Sequence, residues 1–74
     1  MVVLYTTNTC SKCKIIEREL LTKSINFVIK NIEQEDTLVE LVTEGARITS
    51  VPILKIKDKL IYDIEEMRQE INEY

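Results

Sequence analysis

The chain has 74 residues, 45% of them apolar and 31% charged, with a net charge of −3. That composition suits one soluble globular domain with a thin core, expected over residues 1–74, and not a disordered segment. It lacks the basic stripe of a nucleic-acid binder, since Lys12, Lys14, Lys23, Lys30, Lys55, Lys57 and Lys59 are scattered among acids, and it has no histidine for triads, metal sites or proton shuttles.

Taken in chain order, Val2-Val3-Leu4-Tyr5 is a short apolar run that reads as a buried strand. Thr6 to Thr9 is polar and turn-like. A helix is predicted from about Ser11 to Thr22, with Ile15, Ile16 and Leu20 on one face beside Cys13 and with Lys12, Lys14, Glu17 and Arg18 toward solvent. Ser24 and Asn26 mark a break. Phe27-Val28-Ile29, with Ile32, forms the next apolar strand. The acids from Glu33 to Asp36 suit a helix start, where negative charge meets the positive end of the dipole. Leu38, Leu41 and Val42 recur at helical spacing, and Gly45 stands where a C-cap is expected. Val51 to Ile56 reads as a strand entered through Pro52. Lys57-Asp58-Lys59 is a tight turn, and Leu60-Ile61-Tyr62 is the antiparallel partner. Asp63 is a natural N-cap for a last helix whose apolar positions are Ile64, Met67 and Ile71. The predicted order is β-α-β-α-β-β-α. Its first pair of strands is joined through a helix, and is therefore parallel with a right-handed crossover.

No apolar run reaches the length of a membrane-spanning helix. The opening MVVLY is too short for a secretion signal and lacks its basic start. A cytosolic location with no membrane partner is the expectation, and static disulfides are rare there.

Cys10 and Cys13 are the chain's only cysteines, and they fall between the first strand and the first helix. A structural disulfide closing so short a loop would remove little entropy from the unfolded chain. A zinc site needs further cysteines or histidines that the sequence lacks. A dithiol that turns over suits the position better. Cys10 lies at the start of the helix, where unpaired N–H groups favour an anion, and Lys12 and Lys14 add positive charge nearby. Cys13 lies one turn further in, on the side of Ile16 and Leu20, and is expected to be buried. The spacing suits a two-step exchange in which Cys10 attacks a substrate disulfide and Cys13 resolves the mixed disulfide.

Further along, Ser50-Val51-Pro52 precedes an apolar strand, a position where proline alone implies nothing more than a strand entry. Together, Val2 to Tyr5, Cys10-Ser11-Lys12-Cys13, Gly45 and Ser50-Val51-Pro52-Ile53-Leu54 resemble the glutaredoxin branch of the thioredoxin superfamily over nearly the whole chain. Within that branch the sequence looks most like the short bacterial and phage redoxins, including the type that serves ribonucleotide reductase.

The resemblance implies a thioredoxin-like α/β fold with a four-stranded mixed sheet flanked by helices. It implies Cys10 as the attacking thiolate and Cys13 as the resolving thiol. It also implies a cis Pro52 standing against the dithiol and a Val51 main chain that pairs with the substrate's backbone. Tyr5 and Lys12 are further candidates for lining the substrate site, although the simpler role for Tyr5 is core packing.

No bound cofactor is implied. The implied partners are a disulfide-containing protein, ribonucleotide reductase among them, and a reductant, either a thioredoxin-reductase-like flavoprotein or glutathione. A monomer is expected. Ser11-Lys12 stands where the family usually carries Pro-Tyr. Leu60-Ile61-Tyr62-Asp63 stands where it usually carries a glycine pair and an acid that hold glutathione. The run from Leu4 to Cys13 also resembles arsenate-reductase-like redox regulators that bind RNA polymerase, which gives a binding protein as the alternative to an enzyme.

Overall fold

The computed structural model describes residues 2–48 and 50–74. Its elements follow the predicted order: β1 (Val2–Thr6), α1 (Ser11–Thr22), β2 (Phe27–Asn31), α2 (Glu35–Thr43), β3 (Ile53–Ile56), β4 (Lys59–Ile61) and α3 (Ile64–Asn72). The strands form one sheet in the order β2-β1-β3-β4. β1 is parallel to β2 and antiparallel to β3, and β3 is antiparallel to β4. Among the described residues no helix is long and apolar enough to cross a membrane.

β1 and β3 are the central strands, and both of their faces are covered. That is why β1 is a continuous apolar run from Val2 to Tyr5 and β3 is apolar apart from Lys55, which is partly exposed and paired with Glu44. Val2, Leu4, Leu54 and Ile56 join Ile16 and Leu20 of α1 and Met67 and Ile71 of α3. The intervening residues Val3, Tyr5 and Ile53 join Leu41 of α2 on the other face. Among the described residues the first cluster holds ten buried residues and the second holds four. At about 1.5–3 kcal/mol for each fully buried large aliphatic side chain, the α1/α3 face contributes most of the hydrophobic stabilisation.

Three local expectations shift. Ile15 is 50% exposed, and the buried face of α1 is Cys13, Ile16 and Leu20, a narrower stripe from which Ile15 is rotated by about one helical step. In α2, Thr37 and Leu41 are the buried residues, while Leu38 and Val42 face outward. Glu40 of α2 and Glu44 at its C-cap pair with Lys30 of β2 and Lys55 of β3, partly exposed contacts that add little to the burial of Leu41 against Val3, Tyr5 and Ile53. Val28 and Ile29 are exposed because β2 is an edge strand, and Ile32 packs on the second cluster from beyond the strand's end.

The element ends have local causes. α2 closes on Gly45 at φ 81°, with the Gly45 N–H donating to Val42 O and the Ala46 N–H to Leu41 O, both at 3.0 Å. α1 closes the same way on Ser24. The hairpin turn is a residue shorter than expected: Lys57 and Asp58 both take left-handed backbone, so Lys59 enters β4 and Tyr62 falls just past it. The Asp63 side chain accepts from the Glu66 N–H at 3.1 Å and caps α3.

Candidate active site

Cys10 is the N-cap residue of α1, in extended backbone at φ −134° and ψ 102°. Its Sγ accepts a hydrogen bond from the Cys13 N–H at 3.0 Å. Serine, threonine or aspartate usually fills this role, leaving one fewer orphan donor at the helix start. The sulfur here is one half of the Cys10–Cys13 disulfide; in the reduced pair a thiolate at this place would be a stronger acceptor than a thiol.

Cys13 is 3% exposed, on the buried stripe with Ile16 and Leu20, whereas Cys10 is half-buried. A disulfide joins the two, with Cα atoms 5.3 Å apart. The outer sulfur can meet a second molecule, and the inner one is placed to meet only Cys10. Lys12 and Lys14 are exposed in the opening turns of α1.

The sheet register gathers the other segments at the same end. Tyr5 is level with Ile53, so Pro52 comes level with Thr6, from which the loop to Cys10 departs. Leu54 is level with Ile61, which brings Tyr62 to this end, and Asn31 of β2 is level with Thr6 from the other side. The Val51–Pro52 peptide is cis, as the resemblance implies. Pro52 is buried and Val51 half-buried.

Tyr5 goes into the core. It is 1% exposed between the sheet and α2, and its hydroxyl donates to Glu40 Oε2 at 3.3 Å. Glu40 is held in turn by Lys30 Nζ at 2.9 and 3.0 Å, and this pairing keeps its carboxyl below the usual carboxylate range. Burial first, and then the charges of Glu40 and Glu44, push the Tyr5 hydroxyl up to about 12. The packing role is the one this placement carries.

Two further groups at this end have no signal in the sequence beyond polar turns. One is a set of hydrogen bonds among Asn8, Asn31 and Glu33. The other joins the loop before Pro52 to the end of β4. The Arg47 N–H donates to the Tyr62 hydroxyl oxygen at 3.1 Å, and the Arg47 guanidinium lies 4.9 Å over the Tyr62 ring.

A family-model scan matches the glutaredoxin family over residues 2–61. A search of the curated proteins finds no match. Among solved structures, the chain is similar to the glutaredoxin-like protein NrdH-redoxin from Escherichia coli, with 22% identity and a TM-score of 0.74, over 97% of this chain and 91% of that one. It is also similar to the thioredoxin-like protein BC3987, with 15% identity and a TM-score of 0.78, over 96% of this chain and 99% of that one. These likenesses establish a thioredoxin-like fold. The family match spans the strand, the cysteine pair, the helix and the cis-proline hairpin described above, and by it the chain belongs to the glutaredoxin family, whose general chemistry is thiol–disulfide oxidoreduction.

Proposed function

We propose that this protein is a cytoplasmic dithiol electron carrier that reduces disulfides in other proteins. The observation that carries the reading is the asymmetry of the cysteine pair: a half-buried Cys10 at a helix N-cap over a buried Cys13. The Cys10 thiolate attacks one sulfur of a substrate disulfide. That S–S bond breaks, and its electron pair leaves with the other substrate sulfur, which takes a proton from water. Cys13, giving up its proton, then attacks Cys10 Sγ, and the second substrate thiolate departs. Two electrons have passed to the substrate, and the protein is left with the Cys10–Cys13 disulfide.

Resetting the pair takes two electrons, from a thioredoxin-reductase-like flavoprotein or from two glutathione molecules. The flavoprotein is the better fit. NrdH-redoxin from Escherichia coli is described as having a thioredoxin-like activity profile. Leu60-Ile61-Tyr62-Asp63 also lacks the glycine pair that the resemblance associates with glutathione. Val51 is assigned to pair through its main chain with the substrate backbone beside the target cysteine, Pro52 to stand against the dithiol, and Lys12 to contact the substrate's surface. The substrate class is a protein with an accessible disulfide, ribonucleotide reductase being a candidate, and no bound cofactor takes part in the exchange.

The test is a coupled assay of NADPH consumption with a protein disulfide, run once with thioredoxin reductase and once with glutathione and glutathione reductase. Turnover is expected in the first. Cys10→Ser should abolish it, and Cys13→Ser should accumulate a mixed disulfide with the substrate, visible by mass spectrometry. A mixed disulfide trapped by Cys10→Ser instead would reverse the two roles. Turnover only with glutathione would overturn the choice of reductant, and no turnover in either arm would overturn the reading as a carrier.

A further inference from the structure

Cys10 follows a short polar loop, residues 7–9, that leaves β1. That loop is tied to the segment following β2. The Asn8 N–H donates to Glu33 Oε2 at 2.7 Å, and the Asn8 side-chain oxygen accepts from Asn31 Nδ2 at 2.5 Å. Asn31 in turn accepts from the Glu33 N–H at 2.8 Å through its own Oδ1. Asn8 is therefore held at both its backbone and its side chain. The sheet supplies the base for this brace, since Asn31 is level with Thr6 and the Ile32 N–H donates to Thr6 O at 2.9 Å.

We propose that Glu33, through Asn8 and together with Asn31, is a positioning residue for the nucleophile: it fixes the loop that presents Cys10 so that Sγ sits on the Cys13 N–H. The proposal rests on the exchange reading above, because only a thiolate nucleophile gains from such positioning. The bond from a backbone N–H to a carboxylate is charge-assisted and about twice as strong as a neutral one. In the oxidised pair the disulfide itself keeps Cys10 Sγ beside the Cys13 N–H, so the brace matters once that bond is reduced, when a loop free to shift loses this directional contact.

Two opposing effects separate this role from simple electrostatics. As a nearby negative charge, Glu33 disfavours a second anion at Cys10; as a brace, it favours the thiolate by holding its donor in place. Other charged groups near this end of the sheet include Lys12 and Lys14 of α1, Lys30 of β2, Glu35 and Asp36 in the first turn of α2, and Arg47 and Asp63 on the far side. They are unchanged in the variants that follow.

The test compares reduced wild-type protein with Glu33→Ala and Glu33→Gln. Thiolate absorbance is followed against pH, and the rate of Cys10 alkylation is measured at neutral pH. Glutamine keeps an oxygen acceptor without the charge, and alanine keeps neither. In Glu33→Ala the thiolate titration is expected to move upward by about half a unit to one unit, which is about three- to tenfold less thiolate below the midpoint, with slower alkylation to match. Glu33→Gln is expected to restore most of the wild-type behaviour.

A downward shift in both variants would show that Glu33 acts by its charge alone, and unmoved titrations in both would show that the brace holds nothing of consequence; either result overturns the proposal. A check needing no variant is amide hydrogen exchange, in which the Asn8 N–H should be protected relative to the Thr9 N–H. An Asn8 amide exchanging as fast as an open loop would also overturn it. None of these readouts involves a substrate or a reductase, so the brace can fail while the carrier reading stands, and the reverse.

Discussion

Replacing Tyr5 by phenylalanine removes one oxygen from the core and leaves the ring in place. The hydroxyl makes a single hydrogen bond of 3.3 Å to Glu40, whose carboxylate is still served by Lys30. Such a bond contributes about 1 kcal/mol, so Tyr5→Phe should be the less stable protein by that amount at neutral pH. At high pH the order reverses. The Tyr5 hydroxyl ionises at about 12 in the folded chain, against an ordinary 10.0. Between those values the unfolded chain releases the phenol proton and the folded chain keeps it, so stability falls as pH rises. The loss grows at up to ~1.4 kcal/mol per pH unit and levels off once pH passes the folded value, reduced by solvent screening because the hydroxyl meets the partly exposed Glu40–Lys30 pair.

The phenylalanine variant has no such loss. The stabilities of the two proteins should meet between the ordinary value of 10.0 and the folded value of about 12, with Tyr5→Phe the more stable above the crossing. The assay is urea unfolding followed by far-UV circular dichroism, at intervals from about pH 7 to about pH 12. Parallel stability curves across that range would mean that the hydroxyl is solvated in the folded chain, and the reasoning would fail. A loss of exchange activity in Tyr5→Phe at neutral pH, with stability kept, would return Tyr5 to the substrate site.

Ile16 is fully buried between the sheet and α3, and Ile16→Ala should cost about 2–5 kcal/mol in urea unfolding; a cost near zero would mean that the α1/α3 face is loosely packed. Asp63→Ala removes the acceptor for the Glu66 N–H and should cost about 1 kcal/mol, with Asp63→Asn recovering most of it. Glu40's depressed carboxyl adds stability that is present above the usual carboxylate range and lost as pH falls through its folded value. The stability gap between wild type and Lys30→Met should therefore narrow on acidification, and a gap independent of pH would rule out the pairing as its source.

The readings that held were those with a local cause. The cysteine pair, the apolar runs of the central strands, Gly45 after α2 and Asp63 before α3 are each explained within about one turn of chain. A helix start has orphan N–H groups whatever it later packs against, and a strand covered on both faces is apolar at most of its positions. The readings that moved concern which of two neighbouring apolar residues is buried. Ile15 and Ile16 are equally hydrophobic, and only the approach of α3 and the sheet selects Ile16. In α2, Leu41 is buried as expected, while Leu38 and Val42 are exposed and Thr37 takes the other buried place, because the sheet covers only the Thr37–Leu41 side of the helix.

By itself, then, the sequence determined the order of elements and the placing of the cysteine pair at a helix start, because periodicity, capping and the spacing of Cys10 and Cys13 act over a few residues. Tertiary structure alone decided that β2 is an edge, that the Tyr5 hydroxyl meets Glu40, and that Asn8 is held by a carboxylate 25 residues away. The physical reason is that strand order and register are properties of the whole chain. Residues far apart in sequence share one end of the sheet only after every strand has chosen its neighbour.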